Sequence, residues 1–155
     1  MITYLEGDAT MPVGDDKKLI VHICNDIGAW GAGFVLAISK RWAMPEKQYR
    51  AMAKQKRKLG TYQIIPVEND IQVVNIIGQH NTAPSDEGVP PIRYEAVFVA
   101  LQKLAQYAMD NNMSIHMPRI GCGLAGGVWD IMEKVIHCAV PDQVPVTVYD
   151  YIPQN

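Results

Sequence analysis

The segment KLIVHIC, residues 18–24, is nearly continuous in apolar and β-branched residues. That pattern belongs to a strand buried on both faces, and such strands sit at the centre of α/β sheets with helices above and below. The rest of the chain supplies the partners. ITYL (2–5), TYQIIPV (61–67), IQVVNII (71–77), SIHMPRI (114–120) and VPVTVYDY (144–151) read as five further strands, and the segment END joins the second and third of these as a hairpin or meander. Four helical stretches lie between them. GAGFVLAISKRW (31–42) is apolar nearly all round and is expected to be a buried helix. PEKQYRAMAKQKRKLG (45–60) has Pro45 near its start and Gly60 just past its end, as helices prefer. IRYEAVFVALQKLAQYAMDNN (92–112) sets Val97, Leu101, Leu104 and Ala108 on one stripe, and VWDIMEKVIHCAV (128–140) does the same with Val128, Ile131, Met132, Val135 and Ile136. Strands alternating with helices predict a three-layer α/β/α domain spanning residues 1–155.

The chain has 155 residues, enough for one domain with a real core. Apolar residues make up 48% and charged residues 19%, which fits neither disorder nor a fibrous class. A formal net charge of −2 predicts no strong pull toward free nucleic acid or an anionic membrane. Six of the 14 lysines and arginines fall between Lys47 and Lys58, but without interleaved aromatics they read as a solvated helix face. Cys24, Cys122 and Cys138 are too far apart for a CxxC pair, and the four histidines and three cysteines never reach zinc-ligand spacing. Reduced thiols and a polar start, MITYLEGDAT, predict a cytoplasmic protein without a signal peptide, and no apolar run is long enough for a membrane span.

Two glycine-rich loops follow predicted strands and open predicted helices: NDIGAWGAG (25–33) and GCGLAGG (121–127). Glycine permits a tight turn; it also lets a ligand approach main-chain N–H groups where a helix begins, which makes an anion site. A pair of such loops favours phosphate. GCGLAG has the form G-x-G-x-x-G, with Asp150 at a plausible distance for a ribose contact, but that fingerprint normally opens a domain and here it sits near the end of the sequence. No G-x-x-x-x-G-K-[ST] occurs. Residues 80–91, HNTAPSDEGVPP, form a long polar loop of the kind that closes over ligands.

YLEGDAT near the start, VHICNDIGAWGAGF in the first loop, MPRIGCGLAGGVW in the second and VTVYDY near the end together resemble a macrodomain, in the family's order and over residues 2–151. The resemblance is closest to the compact branch that holds terminal ADP-ribose protein glycohydrolase and the ADP-ribose 1″-phosphate phosphatase of yeast. It implies a mixed sheet of about six strands between helices, ADP-ribose or an ADP-ribosylated substrate in a cleft at the strand ends, and no cofactor. Matched to the motifs, Asp8 would accept a hydrogen bond from the adenine amino group; its other reading is a turn or helix-cap aspartate. Gly31, Ala32, Gly33 and Phe34 would hold one side of the diphosphate and distal ribose. Gly121, Cys122, Gly123, Leu124, Ala125 and Gly126 would hold the other side. Asn25 would face the distal ribose or serve as a turn residue. Tyr149 and Tyr151 share a strand face and would pack on adenine or on the sheet edge.

The glycohydrolase uses a lysine just after the strand matching VVNII and an aspartate in the second glycine loop. At those places this chain has Gly78, Gln79 and His80, and Ala125. Glycine and alanine supply neither a nucleophile nor an acid–base group, so the lysine mechanism is not expected. The remaining catalytic candidates are His80, as base for water or as a loop histidine; His22, pointing into the cleft or satisfied in the core; and Asn75, orienting a phosphate or ribose hydroxyl. Cys122, beside a helix N-terminus, reads as a small filler before it reads as a nucleophile. The functional expectation is a binder of ADP-ribose or a derivative. The alternatives are an ADP-ribose 1″-phosphate phosphatase or other hydrolase without the lysine, a non-catalytic reader of ADP-ribosylated macromolecules, and a nucleotide-binding protein outside that chemistry.

Overall fold

The computed structural model describes residues 1–153. Six strands, β1 (Ile2–Glu6), β2 (Lys17–Asn25), β3 (Tyr62–Glu68), β4 (Ile71–Gln79), β5 (Met113–Met117) and β6 (Val146–Asp150), form one sheet in the order β1-β6-β5-β2-β4-β3. The helices are α1 (Phe34–Arg41), α2 (Met44–Ala51), α3 (Tyr94–Asp110) and α4 (Trp129–Ala139), with a short 3-10 turn at Lys54–Lys56. All neighbouring strands are parallel except β3, which runs antiparallel to β4 at one edge. The sheet is therefore mixed, and Pro66 sits in its edge strand, where a missing N–H costs no ladder bond.

The apolar run of β2 is central, as its composition predicts. Its alternate residues feed two cores: Leu19 and Val21 pack with α3 and α4, whereas Ile20 and Cys24 pack with α1 and α2. Val74 and Ile76 of β4 face the first core, Val73 and Ile77 the second. The side-chain period of two along each strand thus builds the three layers. On α3, the predicted stripe of Val97, Leu101, Leu104 and Ala108 is fully buried.

Three helical expectations are corrected. Residues 45–60 are not one helix: α2 ends at Ala51, and Met52 is already extended. The following AKQKRK has no apolar residues at helical spacing to hold it on the core, and Arg57 instead lies over the Tyr49 ring and donates to the Met52 carbonyl. Helix α1 is not buried all round; Val35 and Ile38 are, while Leu36 is exposed. On α4 the buried stripe is Met132, Ile136 and Ala139, leaving Val128 and Ile131 exposed.

The topology opens a crevice at one place. β2 pairs with β5 only from Lys17–Met113 to Ile20–His116, and beyond Ile20 it continues beside β4 alone. The loop after β2 leads to α1 on one face, the loop after β5 to α4 on the other. Adjacent parallel strands that send their helices to opposite faces leave a ligand-sized gap at their carboxyl ends.

Candidate ligand cleft

Two cavities occupy that gap. The smaller, about 210 Å³, is walled by His22, Gln79, Arg119, Gly121, Gly123 and Ala125, among others. The larger, about 660 Å³, is walled by Asp8, Thr10, Ala37, Tyr149 and Tyr151, with neighbours from α1. Gly33, Phe34 and Pro118 line both, so the two are compartments of one cleft.

The first glycine loop is braced from beneath. The Asn25 Oδ1 accepts from the N–H groups of Ile27 (3.1 Å) and Ala29 (3.0 Å), and its Nδ2 donates to the Ala29 carbonyl (2.8 Å). The Tyr49 hydroxyl lies 2.5 Å from the Asn25 carbonyl oxygen and 2.8 Å from Oδ1. Trp30, buried against Tyr49, donates from Nε1 to Ser39, which donates on to Glu46. Asn25 is 7% exposed and lines neither cavity. The expectation that it faces the distal ribose is therefore corrected: the turn-residue reading holds.

The second loop is shaped by its glycines. Gly121 and Gly126 have φ of 71° and 79°, in the left-handed region. The Gly127 N–H closes the loop on the Gly121 carbonyl at 2.8 Å, so close that a Cβ on Gly127 would meet that oxygen at 2.4 Å. Gly123 differs: its φ is ordinary for any residue, and nothing lies within 4 Å of where its Cβ would stand. Arg119 ties the base of the loop to the sheet, bonded to both Asp150 oxygens (2.6 and 3.1 Å) and stacked between the rings of Tyr4 and Trp129.

Among the described residues, the N–H groups of Gly31, Ala32 and Gly33 in the first loop donate no hydrogen bond within the protein; nor do those of Gly123, Leu124 and Ala125 in the second. Two sets of unused main-chain donors thus belong to the two loops that border the smaller cavity. All of these residues but Ala125 are exposed, so their N–H groups are open to a ligand.

The expected catalytic side chains separate. His22 is fully buried on the floor of the smaller cavity, and burial lowers its pKa to about 4, against a weaker upward pull from its bond to Asn75. It is therefore neutral. Asn75 donates from Nδ2 to the Pro45 carbonyl and to Gln63 Oε1, which leaves Oδ1 as an acceptor for the His22 Nε2–H at 2.5 Å. By elimination the His22 Nδ1 carries a lone pair, and it has no partner. Asn75 itself is fully buried away from both cavities and orients the imidazole; its expected role on a ligand phosphate or hydroxyl is corrected accordingly. His80 lines neither cavity. It is largely exposed, with Nδ1 2.7 Å from Asp26 Oδ2, an acid whose other oxygen accepts from the Asn81 N–H.

Cys122 lines neither cavity, and burial pushes its thiol above the usual pKa despite the nearby Arg119. Its Sγ reaches the Ile120 carbonyl, in keeping with a small filler rather than a nucleophile. Gly31 and Gly126 border the cleft through neighbours rather than lining it. At Gly78 a Cβ would stand 2.7 Å from Val97, so that position has no room for a side chain. Gln79, which does line the smaller cavity, and Arg119 are the polar residues there that motif reading passes over. Asp8 spends Oδ1 on the N–H and hydroxyl of Thr10 (2.8 and 2.7 Å), so the turn role is real, and it also lines the larger cavity. Tyr149 is buried with its hydroxyl shared between His116 and the Val13 N–H, and Tyr151 is exposed at the rim.

No family model matches the chain. Solved structures do. A Bacteroides thetaiotaomicron protein of unknown function is 49% identical, with a TM-score of 0.94 over 98% of both chains. A macrodomain protein from Streptomyces coelicolor is 44% identical over 97% of this chain and 99% of its own, with a TM-score of 0.82. The chain belongs to the macrodomain family. At 15% identity, Thermosipho africanus DarTG in complex with ADP-ribose shares the macrodomain fold, with a TM-score of 0.66 over 87% of this chain and 39% of that one. Among curated proteins, ADP-ribose 1″-phosphate phosphatase of Candida albicans is 24% identical over 88% of this macrodomain and 92% of its own length. The mouse chromodomain-helicase-DNA-binding protein 1-like is 29% identical over 99% of this chain, and the chain spans only 18% of that protein. No helix among the described residues is long and apolar enough to cross a membrane.

Proposed function

We propose that this macrodomain binds ADP-ribose or an ADP-ribose adduct. The diphosphate lies between the two glycine loops, adenosine fills the larger compartment, and the distal ribose fills the smaller. The observation that carries the reading is the two sets of unpaired N–H groups bordering a cavity at the sheet's crevice. Asp8 supplies an acceptor and Tyr149 and Tyr151 supply apolar surface where the base would go. The ADP-ribose complex of the Thermosipho relative and the substrate named for the Candida phosphatase support the same ligand class.

Binding, rather than hydrolysis through a protein nucleophile, is the reading the local chemistry favours. Position 78 admits no side chain and Ala125 offers only a methyl group. A phosphatase acting on the 1″-phosphate remains the second reading, since it needs positioned water and donors rather than a lysine. Calorimetric titration with ADP-ribose, with AMP alongside, tests the first: micromolar binding of ADP-ribose and much weaker binding of AMP are expected, and no heat with ADP-ribose refutes it. Phosphate release from ADP-ribose 1″-phosphate tests the second.

A further inference from the structure

The larger compartment carries more positive charge than ADP-ribose uses. Its walls include one acid, Asp8, and two bases, Lys40 and Arg41. The bases follow Ala37 by three and four residues on α1 and so share its helix face, which is the face that lines the cavity. On the reading proposed above, the adenosine held here is uncharged, and both phosphates go to the glycine loops. Asp8 then has a use and the cations have none. Arg41 is partly committed, 3.5 Å from Glu68 and stacked on Trp42. Lys40 forms no ion pair among the described residues. Complementing the C-terminal end of the α1 dipole needs only a lysine near the last turn, not one lining a cavity.

We infer that Lys40, seconded by Arg41, forms a subsite for a further phosphate borne on the adenosine ribose. The ligand class is ADP-ribose phosphorylated at the 2′ or the 3′ hydroxyl of its adenosine. A phosphomonoester carries between one and two negative charges near neutrality and offers three acceptor oxygens, which is the partner a free ammonium and a fixed guanidinium fit. This inference rests on the assignment of adenosine to the larger compartment, and the test separates the two.

Two sets of probes are titrated calorimetrically at low salt. AMP is compared with adenosine 2′,5′-bisphosphate and adenosine 3′,5′-bisphosphate, and ADP-ribose is compared with its adenosine 2′-phosphate. At least one phosphorylated isomer is expected to bind tenfold or more tightly than its parent. Lys40→Gln should collapse that ratio to below twofold. Lys103→Gln, which removes an exposed lysine of α3 on the opposite face of the sheet, should leave it intact and so exclude a general charge effect. Lys40 is exposed, so its variant has no core contact to lose. No gain with either isomer, or a gain that survives in Lys40→Gln, overturns the subsite. A Lys40-dependent gain in the bisphosphates with no binding of ADP-ribose overturns the proposed function and leaves the subsite standing.

Discussion

Replacing Gly123 by valine should damage ligand binding far more than folding, and the structure sets both magnitudes. The Gly123 φ lies outside the left-handed region and its Cβ would meet nothing within 4 Å, so the native backbone accepts a side chain without strain. Substitutions at open sites shift stability by about 0.5 kcal/mol, and restricting a glycine in the unfolded chain adds about 0.4–1 kcal/mol in favour of the fold. The melting temperature should therefore move by no more than ~6 °C. The binding side is different. Gly123 lines the smaller cavity of about 210 Å³ and contributes one of the unused N–H donors. An isopropyl group there holds an anion off the loop and forfeits one or two charge-assisted bonds, each about 1.5–3 kcal/mol. At 1.4 kcal/mol per decade, ADP-ribose affinity should fall by at least about tenfold and by up to about ten-thousandfold. Calorimetry and thermal unfolding on the same preparation measure the two effects. Unchanged ADP-ribose affinity in a folded Gly123→Val protein would refute the two-loop site, and loss of the fold would refute the account of open space around Gly123.

Gly127→Ala should do the reverse: its Cβ would press on the Gly121 carbonyl at 2.4 Å, so a loss of about 2 kcal/mol or more in unfolding free energy is expected, and a melt like wild type would sink the argument. His22 has a folded pKa near 4 against an unfolded value of about 6.5, so the unfolded chain takes up the proton first as pH falls. Stability should be flat above about pH 6.5 and decline toward pH 4, by roughly 3 kcal/mol from this residue; denaturant midpoints that ignore pH over that window would contradict a neutral, buried imidazole. Asp8→Asn keeps an oxygen for the Thr10 turn but loses the carboxylate's charge, so AMP affinity should drop several-fold with little change in melting temperature. A destabilised variant with undiminished AMP binding would mean the aspartate serves only the turn.

What could be read along the chain was whatever has a local period or a local backbone demand. The two faces of β2, the stripe on α3 and the β3–β4 pairing around residues 68–70 follow from spacings of two and of three to four. Gly121 and Gly126 of the second loop sit at left-handed turns that few other residues tolerate, a demand local enough to read from sequence. What escaped depends on partners far away in the chain. Asn25 is fixed inward by Tyr49, 24 residues on, and the His22 tautomer is set by Asn75, 53 residues on. Neither distance leaves a trace in a window of neighbouring residues. Helix α2 was overextended because Pro45 and Gly60 match helix punctuation, while the absence of an apolar stripe after Ala51 weighs more than either. The Cys122 thiol shows the same limit: proximity to a helix start is local, but the desolvation that raises its pKa comes from tertiary packing.

On the proposed reading, the shared wall of Gly33, Phe34 and Pro118 would make the cleft a bivalent receptor for a single molecule. A ligand that fills both compartments brings its second half in at the effective concentration set by a short tether rather than by the solution, so its affinity multiplies where those of the separate halves only coexist. Nucleoside monophosphates and ribose phosphates, each fitting one compartment, would then be weak competitors even at high concentration. The fold would discriminate by the length of its ligand as much as by its chemistry.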